Sequence, residues 1–228
     1  MKSRQFLLAA CVMVLSTSGV SAQWTGTRIG GNIRHADAEE LMRITTSCIA
    51  KRGPAYARKF LETVPGTEAE FRLLRRNEGD LGLCMDNTQK AVGSVEMTFT
   101  PQPFRRALAR EMVKPYLSRD FDPTAATAQE PFYLMSLQAL PENEKADAYS
   151  MVFMEFGDCV FLQDPKATVD YLRTEPGSGE EAEAIGALMP SLSPCVAAGQ
   201  DLELSHEALR IALNEPVYHR LRRLDSES

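Results

Sequence analysis

Two stretches decide the fold: CIAKRGPAYARKFLETVPGTEAEFRLLRRNEGDLGLC at 48–84 and CVFLQDPKATVDYLRTEPGSGEEAEAIGALMPSLSPC at 159–195. Each opens and closes on a cysteine, and the two lie at an offset of 111. At that offset Pro54 meets Pro165, Leu61 meets Leu172 and Thr63 meets Thr174. Pro65-Gly66 meets Pro176-Gly177, Glu70 meets Glu181, and Ser178 stands where the first copy has Thr67. The shared residues are of the kinds that build folds, so the sequence speaks to architecture more than to chemistry.

Working outward from the blocks, Leu41, Ile44, Thr45 and Cys48 fall at helical spacing, as do Val152, Phe156, Cys159 and Val160, and both sets are expected to face inward. A turn then reaches Gly53-Pro54 or Asp164-Pro165. Proline suits the first helical position, and Asp164 suits the cap before it. The next helix offers Ala57, Phe60, Leu61 and Val64 to a core in one copy, and Thr168, Tyr171, Leu172 and Glu175 in the other. Pro-Gly ends it. Thr67 with Glu70, and Ser178 with Glu181, then form capping-box patterns, which account for the two acids without catalysis. The third helix carries Phe71 and Leu74, or Ala182, Ile185 and Leu188.

A fourth helix is expected in each copy. Residues 102–119 resemble 204–220 at an offset of 101, with Ala107-Leu108 on Ala208-Leu209, Pro115 on Pro216 and Arg119 on Arg220. Leu108 and Met112 are expected in the core, with Leu209, Ala212 and Leu213, and the prolines should stop or bend the helices. The expected fold is therefore mostly α: two tandem similar units of about four helices, each closed by one disulfide. They occupy 37–119 and 147–221. A bridge over 120–146 contains one more helix at 131–140. Residues 23–36, with Trp24, read as a mobile lead-in, and 222–228 as a tail. Residues 92–100 alternate weakly and suggest a short hairpin. No Gly/Ser linker separates the units, which predicts that they pack together.

Residues 1–22 read as an export signal. Lys2 and Arg4 precede an apolar run at 6–15, and Val20-Ser21-Ala22 supplies a cleavage site. Leu8-Ala9-Ala10-Cys11 resembles a lipoprotein box, but the apolar run continues through Val14 and Leu15, which disfavours it. No later stretch is apolar enough to cross a membrane. Removing the leader leaves Cys48, Cys84, Cys159 and Cys195, an even set suited to disulfides in an oxidising compartment, the periplasm before the medium. Of the three pairings, duplicated loops select Cys48–Cys84 with Cys159–Cys195. Each bridge is worth about 3–4 kcal/mol in the loop-entropy model.

No reactive constellation emerges. His35, His206 and His219 lack metal-ligand spacing, Gly30-Gly31 is not a phosphate loop, and Gly93-Ser94 is no nucleophile elbow. Catalytic residues, cofactor and metal are accordingly all read as none. Glu180, Glu181 and Glu183 suit the positive end of a helix. Arg72, Arg75 and Arg76, with Arg105, Arg106 and Arg110, form rows that are a candidate anion-binding face. Residues 38–119 hold 14 basic and 10 acidic side chains, against 7 and 20 in 120–228. Such a contrast suits complementary docking, within one chain or between chains. The formal net charge of −6 becomes −8 once Lys2 and Arg4 leave with the leader, which argues against nucleic acid as a partner.

Cys159, Pro165, Leu172-Arg173-Thr174, Pro176-Gly177-Ser178, Cys195, Ala208-Leu209 and Tyr218 together resemble the pattern of a group of exported bacterial proteins with a duplicated two-cysteine helical unit. The resemblance spans both units and implies no activity, ligand or site residues. The expectation is an exported helical binding or structural module. Its partner would be another exported protein or an anionic envelope surface. The alternative is a hydrolase working from a cleft between the units.

Overall fold

The computed structural model describes residues 27–30, 38–75, 79–92, 96–196 and 204–226. Among them the order is β1 (Thr27–Gly30), α1 (Ala38–Arg52), α2 (Pro54–Leu61), α3 (Glu68–Arg75), α4 (Gly79–Val92), β2 (Glu96–Phe99) and α5 (Pro101–Leu117). A 3-10 turn at Pro123–Ala128 leads to α6 (Phe132–Gln138), α7 (Ala148–Gln163), α8 (Pro165–Arg173) and α9 (Gly179–Leu192). A second 3-10 turn, Ser193–Cys195, precedes α10 (His206–Ser226). The protein is mostly helical and carries two disulfides.

Local chemistry explains the helix ends. Glu39 and Glu40 sit in the first turn of α1, and Lys51 and Arg52 in its last, each charge suited to its end of the dipole. Proline opens α2 and α8, where the missing amide has no intrahelical partner. The Asp164 carboxylate accepts from Ala167 N at 2.8 Å, the cap read from sequence. Gly66 and Gly177 take φ of +84° and +79°, a left-handed turn that glycine enters without a Cβ penalty.

Cys48 is joined to Cys84 with Cα atoms 5.6 Å apart, and Cys159 to Cys195 at 5.7 Å. One continuous apolar core draws on both halves, with Leu41, Phe60 and Leu108 from the first and Phe161, Tyr171 and Leu213 from the second. α10 packs on both α5 and α7, so it lies at the centre of the assembly. Among the described residues no helix is long and apolar enough to cross a membrane.

Several expectations are corrected. Thr27–Gly30, within the proposed lead-in, pairs antiparallel with Glu96–Phe99, Thr27 opposite Phe99 and Gly30 opposite Glu96. The strand signal at 92–100 thus finds its partner far back in the chain, not in a local hairpin. The tail is helical as far as Ser226, because the apolar stripe continues through buried Leu221 and half-buried Leu224. The bridge helix is shorter than read, and Asp122 caps the turn before it by accepting from Thr124 N. Val152, expected inside, is 60% exposed. The leader and Trp24 lie outside the described residues.

Pro115 and Pro216 do not stop their helices. Pro216 has no amide to offer the Ala212 carbonyl. That carbonyl faces Gly157 of α7 so closely that a Cβ there would stand 2.0 Å from its oxygen. Glycine at 157 is what lets α7 approach α10. We expect Gly157→Ala to lower stability by about 1–3 kcal/mol or more in chemical denaturation, as overpacking does. Gly186→Ala in α9, whose Cβ would meet nothing within 4 Å, should raise it by about 0.5–1 kcal/mol.

Candidate functional site

Among the described residues, polar groups converge around Arg105 and Arg210, and around Arg220 beside them. Arg105, on α5, donates to the carbonyls of Phe60, Leu61 and Thr63, to Thr63 Oγ1 and to Glu70 Oε1. Arg210, on α10, donates to the carbonyls of Tyr171, Leu172 and Thr174, to Thr174 Oγ1 and to Glu181 Oε1. The five acceptors correspond one to one at an offset of 111. Each guanidinium also lies over the ring at the first of these positions, Phe60 at 5.9 Å and Tyr171 at 4.7 Å. The free carbonyls at the end of a helix need donors. A fixed planar fork supplies several at once.

The carboxylates complete each clamp from the other side. Glu70 Oε2 accepts from Gly66 N at 2.7 Å, and Glu181 Oε2 from Gly177 N at 2.8 Å. The capping-box reading of these acids is therefore corrected: the amide they take belongs to the glycine before the cap, and the other oxygen is spent on arginine. Only the hydroxyl half of the box forms at α9, where Ser178 Oγ accepts from Glu181 N. Thr67 turns its hydroxyl back to the Val64 carbonyl instead.

The first clamp extends where the second does not. Arg105 Nε donates to Glu215 Oε1 at 2.7 Å, and His219 Nε2 lies 3.6 Å from that same oxygen. One guanidinium thus serves two carboxylates, all three buried. Burial pushes the Glu70 carboxyl above its ordinary value, against the pull of Arg105. Burial also opposes the Glu215 charge, but Arg105 and His219 outweigh it and hold that carboxyl low. His219 is pushed down by burial despite Glu215. Both its ring nitrogens are buried without a hydrogen bond, and Phe132 of α6 lies flat on the ring, centroids 3.7 Å apart. Next to it Arg220 binds Asp158 through two parallel bonds of 2.6 and 2.7 Å and donates to the carbonyls of Ala126 and Gln129.

The arginine rows come apart. Arg105, read as part of an anion-binding face, is 2% exposed and wholly engaged inside, because the helix end and two acids claim it. Arg75 pairs with Glu68 on the surface. Arg106 lies over Tyr149 and Phe153 of α7, at 5.6 and 5.9 Å. Arg72 and Arg110 are exposed, and Arg76 lies outside the described residues. His206 is exposed beside Glu181 at 3.6 Å, and His35 lies outside the described residues.

Two shallow hollows are open to solvent. One, about 370 Å³, runs along α4 past Leu83, Met85 and Asp86. The other, about 200 Å³, lies between the ends of α5 and α10 beside Tyr116, Arg119 and Phe121. Neither is lined by His219 or Glu215. Among the described residues no group of three or more His, Cys, Asp or Glu side chains is arranged to hold a metal ion. On α7, by contrast, Tyr149 and Val152 stand 55% and 60% exposed, with the rings of Tyr149 and Phe153 in contact at 4.7 Å. Comparison with protein-family models, curated proteins and solved structures finds no match.

Arg105→Met should cost about 3–5 kcal/mol of stability, because it strands two buried carboxylates. Arg210→Met strands one, less deeply enclosed, and should cost less; denaturant midpoints decide the order. For His219 the sign follows from a lowered folded-state pKa. The unfolded chain binds a proton that the buried ring resists, so stability is present above the ordinary value of 6.5 and is lost as pH falls below it. Urea midpoints should drop between pH 7.5 and 5.5, and His219→Phe, which keeps the stack on Phe132, should flatten that drop.

Proposed function

We propose that the chain is an exported helical module, assembled from two copies of one disulfide-clipped unit, whose work is to bind or hold another exported protein. The two copies are supported by the matched clamps of Arg105 and Arg210, and by the two bridges across loops of equal length. Two disulfides also suit an oxidising compartment, and so an exported protein.

The observation that carries the binding reading is the exposed aromatic and apolar strip on α7. Exposed Tyr149 and Val152, with Arg106 laid over Tyr149 and half-buried Phe153, form the kind of surface found at protein interfaces, where aromatic rings and arginine supply the energetic centre. The buried polar groups have internal duties. They close helix ends, join α5 to α10 and hold α10 on α7 through Arg220 and Asp158. An anionic envelope surface fits less well, since Arg105 is turned inward and Arg106 is engaged on two rings.

The hydrolase reading rests on Glu215 and His219, a perturbed acid and base at the junction of the two halves. It would require Phe132 to leave the face of His219. Chemical crosslinking in the native compartment, followed by purification, separates the two. The binding reading expects a protein retained at near-equal amounts through a high-salt wash. Turnover of an ester or glycoside by the purified protein, abolished in His219→Phe, would overturn it in favour of catalysis.

A further inference from the structure

His219 is buried, yet neither of its ring nitrogens has a hydrogen-bond partner. Charged and titratable groups approach it from several helices. On α10 itself Glu215 Oε1 lies 3.6 Å from Nε2, Arg222 follows three residues later, and Arg223 donates to the His219 carbonyl. α5 brings Arg105, held between Glu215 and Glu70 of α3. α6 brings the Phe132 ring, flat on the imidazole, with Tyr133 next to it in the chain. From α7, Asp158 is spent on Arg220. Glu215 favours the imidazolium, but burial, aided by Arg105 and Arg222, outweighs it, so the ring stays neutral while covered.

The cover is lightly held. α6 is seven residues long, contains no fully buried residue and has no side-chain cap at its start. A helix that short does not persist by itself. Leu134 and Met135 on it are already exposed. Besides the Phe132 stack, Arg223 ties it down, donating to the Glu130 carbonyl at 2.6 Å and to Met135 Sδ at 3.4 Å. The flanks, by contrast, are pinned. Arg220 donates to the Gln129 carbonyl at 3.0 Å, and Asp147 N donates to the Pro65 carbonyl at 2.7 Å.

We propose that residues 131–140 form an acid-released strap: when His219 takes up a proton, α6 lifts from α10 between its two pinned flanks, and the ring and Glu215 open to water. A proton binds more tightly to a hydrated imidazole than to a buried one, so falling pH favours whichever state hydrates the ring. The protonated ring also carries two N–H donors, and a donor left buried without an acceptor is costly. The nearest such state is the one that gives up the least buried surface. Lifting α6 gives up one ring stack and the contacts of Arg223. The strap sets a floor to the loss of stability in acid, since the drop ends once α6 has lifted. Opening also frees Phe132 to join exposed Leu134 and Met135, so the apolar surface of the molecule grows as pH falls. The strap requires no partner and stands whether or not the protein is a binding module.

The test follows amide hydrogen exchange by mass spectrometry on the oxidised protein without its leader, each rate corrected for the intrinsic effect of pH. Between pH 7.5 and 5.5 the protection of 132–140 should fall about tenfold, the limit for one group that titrates at its ordinary 6.5 once exposed. Protection in α1, α5 and α8 should hold. His219→Phe should leave α6 equally protected at both pH values. Phe132→Ala, which removes the cover from the native histidine, should bring the NMR titration of that imidazole up toward 6.5. Unchanged protection of 132–140 in the unaltered protein overturns the strap. So does a loss shared equally with α5 and α8, which is global unfolding. A loss that persists in folded His219→Phe assigns the proton to another group and overturns it as well. Should His219→Phe fail to fold, the Phe132→Ala titration decides, and an unmoved midpoint there overturns the proposal.

Discussion

The constraint on which the structure depends is the need to close a helix end that lies inside the protein. α2 and α8 both finish on buried residues, Phe60-Leu61 and Tyr171-Leu172, just before a Pro-Gly turn whose glycine is exposed. An unpaired buried carbonyl costs on the order of 1–3 kcal/mol. One arginine from a distant helix donates to the Leu61 and Thr63 carbonyls and to the Thr63 hydroxyl, adds a longer bond to the Phe60 carbonyl that Thr63 already serves, and has its own charge met by the glutamate that ties down the turn's glycine. Removing any member leaves the others buried and unmatched, so the clamp holds the helix, the turn and the distant helix in one register.

That arrangement gives α10 its place. It carries Arg210 for the turn after α8, Glu215 for Arg105, and Arg220 for Asp158. Three charged residues on one helix therefore face α8, α5 and α7. The charge contrast between the halves is partly consumed in these contacts, Arg105 with Glu215 and Arg119 with Asp225 both crossing from the basic half to the acidic one. Tyr149 and Val152 of α7 stand outside, as do Leu83 of α4 and Met189 of α9.

The legible part of the sequence was local. Cysteines, Pro-Gly turns and helix starts are each decided within a few residues, and α1 to α3 and α7 to α9 follow from them. The arginines are not legible, because the apolar pattern aligns 102–119 with 204–220 at 101, which sets Arg105 against His206. The contacts of Arg105 and Arg210 give 105. The difference of four is about one helical turn and leaves the same face inward, so apolar periodicity cannot distinguish the two registers. Only the demand for an arginine near each buried Glu70 or Glu181 could have done so. Val152 differs for a related reason: its spacing marks it as apolar-faced, but periodicity alone does not say which edge of the stripe stays outside, and it is 60% exposed. The pairing of Thr27–Gly30 with Glu96–Phe99 joins segments too far apart for pattern to link.

Because α10 follows every element it braces, its place in the chain sets the order in which the molecule can be completed. Until α10 is made, Asp158 of α7 and Glu181 of α9 lack the arginines that meet them in the folded protein. Those acids favour an open, solvated chain until the final helix arrives. The last helix to be made is thus the one that locks the rest.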